Sequence, residues 1–433
     1  MAPDCKIEYL SREEIEKLQL VRLKKTVERV FEKSPFYKKM FKEIGFKPSR
    51  LKSLKDLSSL PFTQRKDLRN NFPYGFLTVS LQKVVRLHTS TGTTGKPKAV
   101  FFTQKDLDQA SELIARSMKM TGAKREDIFQ NMMSYGLFTG GLIFHYGAEK
   151  LGLLVIPSGA GNTERQLELM RDFRTTIVHI TPSYALYLAD VMEEKGLNPK
   201  VDFSLRLAYL GAEPYSEETR KKIEKIFNLN AYNSYGLSEM NGPGVAFECE
   251  EKEGMHLWED NFIPEIINPS TGEVLEDGEE GELVLTSINR EAMPILRYRT
   301  GDLTFLYPQK CRCGRTHRRI SRIKGRTDDM LIVRGVNIFP SEIERVIMGL
   351  PGIGRNYQII LERERSLDKL KIKVEVEKGL FNGSLEHLKG VENRIKARLK
   401  AELMLTPEVE LVEPGSLPTT TGKAKRVIDK RVI

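Results

Sequence analysis

The sequence predicts an α/β protein with a β-rich subdomain and a smaller α+β domain at its C-terminal end, on three observations. From residue 127, short apolar runs alternate with helical patterns. IFQNMMSYG, LGLLVIPSG, TTIVHITPSY and LRLAYLGAEP read as buried strands that run into Gly- or Pro-containing turns, with TERQLELMRDF, YALYLADVMEEKG and SEETRKKIEKIF as the helices between them. Such alternation predicts a parallel or mixed sheet. From about residue 245 to 327 the texture turns to β, with GELVLTS and ILRYRTGDL set off by the turn sequences NPSTGE and EDGEEGE. After RIKGRTDD the order becomes strand, helix, strand, strand, helix in MLIVRG, PSEIERVIMG, YQIILERE, KLKIKVEVE and LEHLKGVENRIKARLKAEL. That is a compact unit of about a hundred residues, an ordinary domain size. The length of 433 residues agrees, since it exceeds what one core usually serves.

Taken from the N-terminus, residues 10–45 carry Leu18, Val21, Leu23, Val27, Val30 and Phe31 at helical spacing among many charges. They predict an amphipathic helix ending near Ser34-Pro35. LSSLPFTQRKDLRNNFP predicts a turn at Pro61 and a helix capped by Thr63, and TQKDLDQASELIARSMKMTG a helix capped by Thr103. Between these two lies HTSTGTTGKPKAV, His88 to Val100, flanked by VVRL and KAVFFT, which alternate like strands. It is therefore a long turn between two strands. In α/β sheets ligands collect at the carboxyl ends of strands. That rule directs attention to the loops SYGLFTGG, GAEP (Gly211, Ala212, Glu213, Pro214) and SYGLSE. The chain closes on a polar segment, PGSLPTTTGKAKRVID.

Composition narrows the function classes. No apolar run is long enough to span a bilayer, and MAPDCKIEYL lacks the apolar core of a signal peptide, so the expectation is a cytoplasmic protein with no membrane partner. The net charge of +10 is spread among many acidic residues without a long basic run. It fits an anionic small molecule as well as it fits nucleic acid, and no nucleic-acid partner is expected. Four cysteines in so long a chain do not make a disulfide scaffold.

The long turn carries the first chemistry. Gly92 and Gly95 admit close approach or positive φ, Thr89, Ser90, Thr91, Thr93 and Thr94 offer hydroxyls, and Lys96 adds a cation, a set suited to a polyphosphate. It is not a P-loop: only two residues separate the glycines, and Pro97 follows Lys96 where that motif needs Ser or Thr and an opening helix. In NSYGLSE, Tyr235 offers a face on which a base can stack, Gly236 close approach, Ser238 a hydroxyl and Glu239 a hard ligand for Mg²⁺. In YRTGDL, Asp302 is a carboxylate suited to accept hydrogen bonds from adjacent ribose hydroxyls. In TTTGKAK, Lys423 sits on a glycine-flanked tail from which it can be carried into a site and removed again. Singly, each also has an ordinary reading, as a turn, a strand-end cap or a tail lysine.

Together and in this order, these stretches resemble the adenylate-forming superfamily that includes acyl-CoA synthetases and luciferase, and within it the phenylacetate-CoA ligase family. The resemblance rests on STGTTGKPK, SYGLFTGGL with FHYGAEKLG, GAEP, YGLSEMNGPGVAFEC, RYRTGDL, GRTDDMLIVRGVNIFPSEIE and LPTTTGK, nearly end to end. Ser238 stands where many relatives have Thr, which keeps the hydroxyl. The resemblance implies a large N-terminal adenylation domain, 1–327, with mixed sheets, and a small mobile C-terminal domain, 328–433, hinged at Asp328. It implies a two-step reaction: a carboxylate attacks the α-phosphate of Mg·ATP to give acyl-AMP and pyrophosphate, and coenzyme A then displaces AMP. A carboxylate is a poor nucleophile towards a polyanion, so the site must neutralise charge and align the reactants. Lys423 and Glu239 take the catalytic roles, with Ser90–Lys96, Gly211–Pro214, Tyr235, Gly236, Ser238, Asp302 and Arg326 holding ATP and AMP. The acyl pocket is drawn from Tyr135, Phe138, Gly140 and Ala148, with Ala148 placed in a loop; aromatic walls and small residues suit a flat ring. A homodimer is a family-level expectation.

A last cluster is not called for by adenylation. Cys249 and His256 flank a charged loop, and Cys311 and Cys313 form a C-x-C pair in the same β-rich region. Three thiols and an imidazole are a regular structural Zn²⁺ set, with His317 as an alternative fourth ligand and plain buried cysteines as the ordinary reading. Two rival functions stay open: an adenylating enzyme that loads a separate carrier protein, and a nucleotide-binding regulatory or nucleic-acid-binding zinc protein.

Overall fold

The computed structural model describes residues 5–89, 98–364, 367–381, 385–418 and 424–431. The loop residues Ser90 to Lys96 and the tail residue Lys423 lie outside the described residues. The fold is mixed α/β, as expected, and divides into two compact units.

The first unit comprises Met1–Gly159, Thr176–His179 and Tyr232–Arg322. Its first helix, Arg12–Lys33, starts on a capping box in which Ser11 Oγ accepts from the Glu14 amide and the Glu14 carboxylate accepts from the Ser11 amide. The helix buries Ile15, Leu23, Val27 and Val30. Ser34 ends it and caps the next helix, Pro35–Glu43, with Pro35 in the first turn where its missing N–H costs nothing. Thr63 is not the cap expected. The short helix Arg65–Asn70 follows Gln64, whose amide donates to Asp67, while the Thr63 hydroxyl lies in the core between Tyr37 Oη at 2.9 Å and the Leu296 carbonyl at 2.7 Å. A buried pair of partners outbids a local cap. Thr103 does cap the helix Gln104–Met120, in a box with Asp106.

The strands Arg86–Thr89 and Ala99–Phe102 pair antiparallel on either side of the long turn, as expected. Strand Ile128–Asn131 pairs in parallel with Leu154–Ile156 and with Ile177–Ile180. From Ser234 on, strand Asn230–Leu237 pairs antiparallel with Gly242–Glu248, which pairs with Met255–Leu257 and that with Arg319–Ile320. A second antiparallel sheet joins Phe262–Ile267, Gly281–Ser287 and Tyr298–Thr304. One element was illegible: residues Thr139–Leu151, TGGLIFHYGAEKL, form a helix. Its glycines argue against helix locally, but Gly147 packs so closely on the helix Gln104–Met120 that a Cβ would fall 2.4 Å from Ile114 Cγ2. Helix–helix contact overrides propensity there.

The second unit comprises Ala160–Thr175, Ile180–Ala231 and Ile323–Ile433. Helices Pro182–Glu194 and Glu217–Phe227 flank the buried strand Leu207–Gly211 in sequence. The C-terminal portion is the expected α+β arrangement. Ile353–Glu364 and Leu367–Val376 pair antiparallel, Glu408–Val412 adds in parallel to the latter, and Val427–Asp429 in parallel to the former. The polar end segment thus closes as a sheet strand. Helix Leu385–Leu403 buries Val391, Ile395, Leu399 and Leu403, a strict four-residue stripe. Among the described residues no helix is long and apolar enough to cross a membrane.

Candidate functional site

Strand Asn230–Leu237 delivers the YGLSE motif. Tyr235 Oη donates to Asp302 Oδ2 at 2.6 Å, so the aromatic and the carboxylate singled out from separate motifs are neighbours. Asp302 lies on strand Tyr298–Thr304, buried, with its amide donating to the Thr300 hydroxyl at 3.0 Å. Gly236 has a structural reason of its own: a Cβ there would sit 2.2 Å from the Gly242 carbonyl oxygen, beside the irregular pairing of the two strands. The close approach it permits is to backbone.

Past the strand, a single 3₁₀ turn carries Ser238 and Glu239. Ser238 Oγ is 3.4 Å from Thr139 Oγ1. Glu239 is buried, and its Oε1 accepts from Tyr298 Oη at 2.7 Å and forms an ion pair with Lys98. Its backbone carbonyl accepts from Arg290. Burial works to raise the Glu239 pKa, but Lys98 and the hydrogen bonds outweigh it and hold the carboxyl below its ordinary value. A buried, ionised carboxylate aimed by a tyrosine is what a hard divalent ion would need. Lys98, the last lysine of STGTTGKPK, was not singled out from the sequence. Its only sign there was a charge opening an apolar run.

Tyr135 Oη accepts from Asn131 Nδ2 at 2.9 Å and lies 3.2 Å from His145 Nδ1; burial pushes its phenol up to about 12. Asn131 is held in turn by His179, whose ring stacks on Phe144 with centroids 3.6 Å apart. Burial pulls the His179 imidazole down to about 3, so it is neutral. Phe138 is 44 % exposed, and a Cβ on Gly140 would meet nothing within 4 Å. Ala148 is corrected: it lies inside the helix Thr139–Leu151, not in a loop, and none of its surface is exposed.

In the second unit the GAEP loop follows strand Leu207–Gly211 directly. Ala212 takes φ of +70°, a conformation disfavoured for a residue with a Cβ and held here by its surroundings. The Glu213 carboxylate accepts from the Ser183 amide at 2.6 Å and from the Ala424 amide at 3.0 Å. Glu213, Pro214, Tyr215 and Ala424 line a cleft of about 590 Å³ together with Asp328 and Arg426. Arg326 donates to Asp328 at 2.8 Å, joining the expected nucleotide contact to the expected hinge position.

The thiol–imidazole cluster does assemble. The ligand atoms of Cys249, His256, Cys311 and Cys313 all lie within 4.8 Å of one another. Cys249 Sγ is 3.6 Å from Cys311 Sγ, and Cys313 Sγ is 3.3 Å from His256 Nε2. Tetrahedral zinc with bonds of about 2.0–2.3 Å sets neighbouring ligand atoms roughly 3.5–3.8 Å apart, so the set fits that ion. His256 Nδ1 donates to the His317 carbonyl at 2.9 Å, which fixes the tautomer and turns Nε2 to the sulfurs. His317, the alternative fourth ligand, is not in this group; its Nδ1 accepts from the Glu259 amide at 3.3 Å. It supports the cluster through its backbone.

Residues 57–290 match the AMP-binding enzyme family and residues 335–431 the AMP-binding enzyme C-terminal domain. The chain is 44 % identical over 439 residues to a phenylacetate-coenzyme A ligase of Thermus thermophilus, covering 98 % of both chains. It is 43 % identical over 428 residues to that of Escherichia coli, covering 99 % of this chain and 97 % of the relative. Among solved structures, a 2-hydroxyisobutyryl-CoA ligase in the postadenylation state in complex with R3-HIB-AMP superposes with a TM-score of 0.93 at 30 % identity, over 98 % of this chain and 92 % of that one.

Proposed function

Because the chain belongs to the AMP-binding enzyme family, we propose that it is an ATP-dependent aryl-acid-CoA ligase acting on phenylacetate or a near relative. The observation that carries the acid and the thiol is the near full-length identity to phenylacetate-coenzyme A ligases. The acid first attacks the α-phosphate of ATP, releasing pyrophosphate, and the thiol of coenzyme A then takes the acyl group and releases AMP.

Each residue role is part of the proposal. Asp302, aimed by Tyr235, accepts from the ribose hydroxyls, and the Tyr235 ring stacks on the base. Gly211, Ala212, Glu213 and Pro214 flank the nucleotide. Glu239 holds Mg²⁺, which when bound neutralises phosphate charge; Lys98 keeps the carboxylate ionised and in place. Lys423 is the catalytic cation, and Asp328 the hinge between an adenylation domain of residues 1–327 and a mobile domain of 328–433. Tyr135, Phe138 and Gly140 form the aryl pocket, the Asn131 and His145 contacts fixing the Tyr135 ring. Zn²⁺ on Cys249, His256, Cys311 and Cys313 completes the proposal. Four protein ligands leave no open position, so this ion staples the β-rich region.

The test is a panel of aryl and alkyl carboxylates assayed for pyrophosphate and AMP, with and without coenzyme A. The expected result is aryl-acid-dependent pyrophosphate release and coenzyme-A-dependent AMP release. AMP release that ignores coenzyme A but needs an added carrier protein would replace the reading with a carrier-loading enzyme, and no acid-dependent pyrophosphate at all would overturn it.

A further inference from the structure

Within the second unit, the C-terminal portion is held against the segment 182–227 by contacts that the two-step chemistry does not itself require. Lys222, on the helix Glu217–Phe227, donates from Nζ to the carbonyls of Ile353 at 2.6 Å and Gly354 at 2.7 Å. Those carbonyls are available because the pairing of Ile353–Glu364 with its neighbour is irregular between Ile353 and Tyr357. Arg355, in the same irregular stretch, pairs with Asp190 and Glu193 on the helix Pro182–Glu194. Glu344 accepts from the Ser216 amide at 3.1 Å and the Thr219 hydroxyl at 2.6 Å, at the N-terminus of the Lys222 helix. In this arrangement the chain immediately after Lys423 is tied to the GAEP loop, through the Ala424 amide and Glu213.

We propose that Lys222 and Arg355 form a latch that holds the C-terminal portion in the adenylation arrangement, and that breaking it shifts the enzyme away from the first half-reaction without harming the second. The inference rests on the ligase reading above. The groups facing Lys222 are Glu377, Asp190 and Arg355, and burial pulls its pKa down to about 8. Ammonium and neutral amine alike keep two N–H groups for the two carbonyls. The Arg355 pairs are partly exposed, with Arg355 at 20 % and Glu193 at 51 %. Such pairs are individually weak and quickly broken. A set of this kind holds a pose without freezing it, as an alternating part requires. Lys222 and Arg355 are positioning residues.

The experiment separates the half-reactions in the full chain. Lys222→Met should slow acid-dependent pyrophosphate release about tenfold, the weight of roughly one charge-assisted hydrogen bond. Thioester formation from supplied phenylacetyl-AMP and coenzyme A should stay at or above the unmodified rate. Arg355→Asp should act in the same direction, and adding Asp190→Arg should restore the first step. Equal loss in both steps, no loss in either, or failure of the charge swap to rescue would overturn the latch. Should Lys222→Met not fold, the charge swap on the partly exposed pair still decides. A distance between labels introduced at Lys200 and Lys389 should lengthen in Arg355→Asp and return in the swap. That readout needs no turnover, so failure of the ligase reading, seen as no acid-dependent pyrophosphate from the unmodified chain, is distinguished from failure of the latch.

Discussion

Cys249, His256 and their surroundings are closed in on almost every side, whereas the Arg355 pairs with Asp190 and Glu193 are partly open to solvent. Around the cluster, charge is buried and answered locally. Glu8, without exposed surface, bridges Arg116 at 3.0 Å and Arg315 at 2.6 Å, and Arg116 also pairs with Asp260 while lying over the Trp258 ring. Glu259 is likewise fully buried and pairs with Arg12 and Arg318. Buried pairs of this kind are costly to break, because one partner is left uncompensated in low dielectric. The Arg355 pairs cost little to break, since water replaces them. The difference teaches which part of the chain is built to stay and which is built to let go.

The largest expected effect lies at the thiol–imidazole cluster. If the cluster holds zinc, chelation or Cys313→Ser should lower the unfolding free energy by several kcal/mol or more, since metal binding free energy becomes folding free energy. Metal analysis of protein purified without chelator should give one zinc per chain; no metal and freely titrating thiols would reject the site. Next in size, Glu8→Ala should cost about 3–5 kcal/mol in denaturant unfolding, by taking the carboxylate from Arg315 and leaving Arg116 with Asp260 alone. A change under about 1 kcal/mol would mean water reaches that site.

Acid sharpens the contrast further. Burial works against the Glu259 charge, but Arg318 and Arg12 win and draw its pKa down to about 2 from an ordinary 4.5. A depressed folded pKa stabilises the protein above the unfolded value and loses that contribution as pH falls through the folded one. Thermal stability should therefore fall as pH drops from about 4.5 towards 2, and Glu259→Gln should flatten that fall. An unchanged acid slope in the variant would remove Glu259 from the account. The smallest effect on stability belongs to the Arg355 pairs, where Arg355→Asp should cost about 1 kcal/mol or less while shifting the balance of half-reactions.

Legibility in the sequence followed the range of the forces concerned. Helix Arg12–Lys33, the Thr103 cap and the strands on either side of the long turn were readable because periodicity and capping are local. Tyr235 and Asp302 were readable as types but not as a pair, since 67 residues separate them. The helix Thr139–Leu151 was hidden because it carries three glycines, of which Gly147 serves a neighbouring helix, and the Gln64 cap because Thr63 had a better partner in the core. Lys98 showed only as a charge opening an apolar run, its partner Glu239 lying 141 residues on.

By itself, the sequence determined the α/β class, the order of the elements and the chemical types available to the site, because side-chain periodicity and functional-group chemistry travel with the chain. Only the tertiary structure decided which of two histidines faces the thiols, that Ala148 is enclosed in a helix, and that Lys222 meets the carbonyls of an irregular strand. Each of those outcomes is a choice between competing partners distant in sequence, and it is settled by which buried polar groups packing leaves to be satisfied.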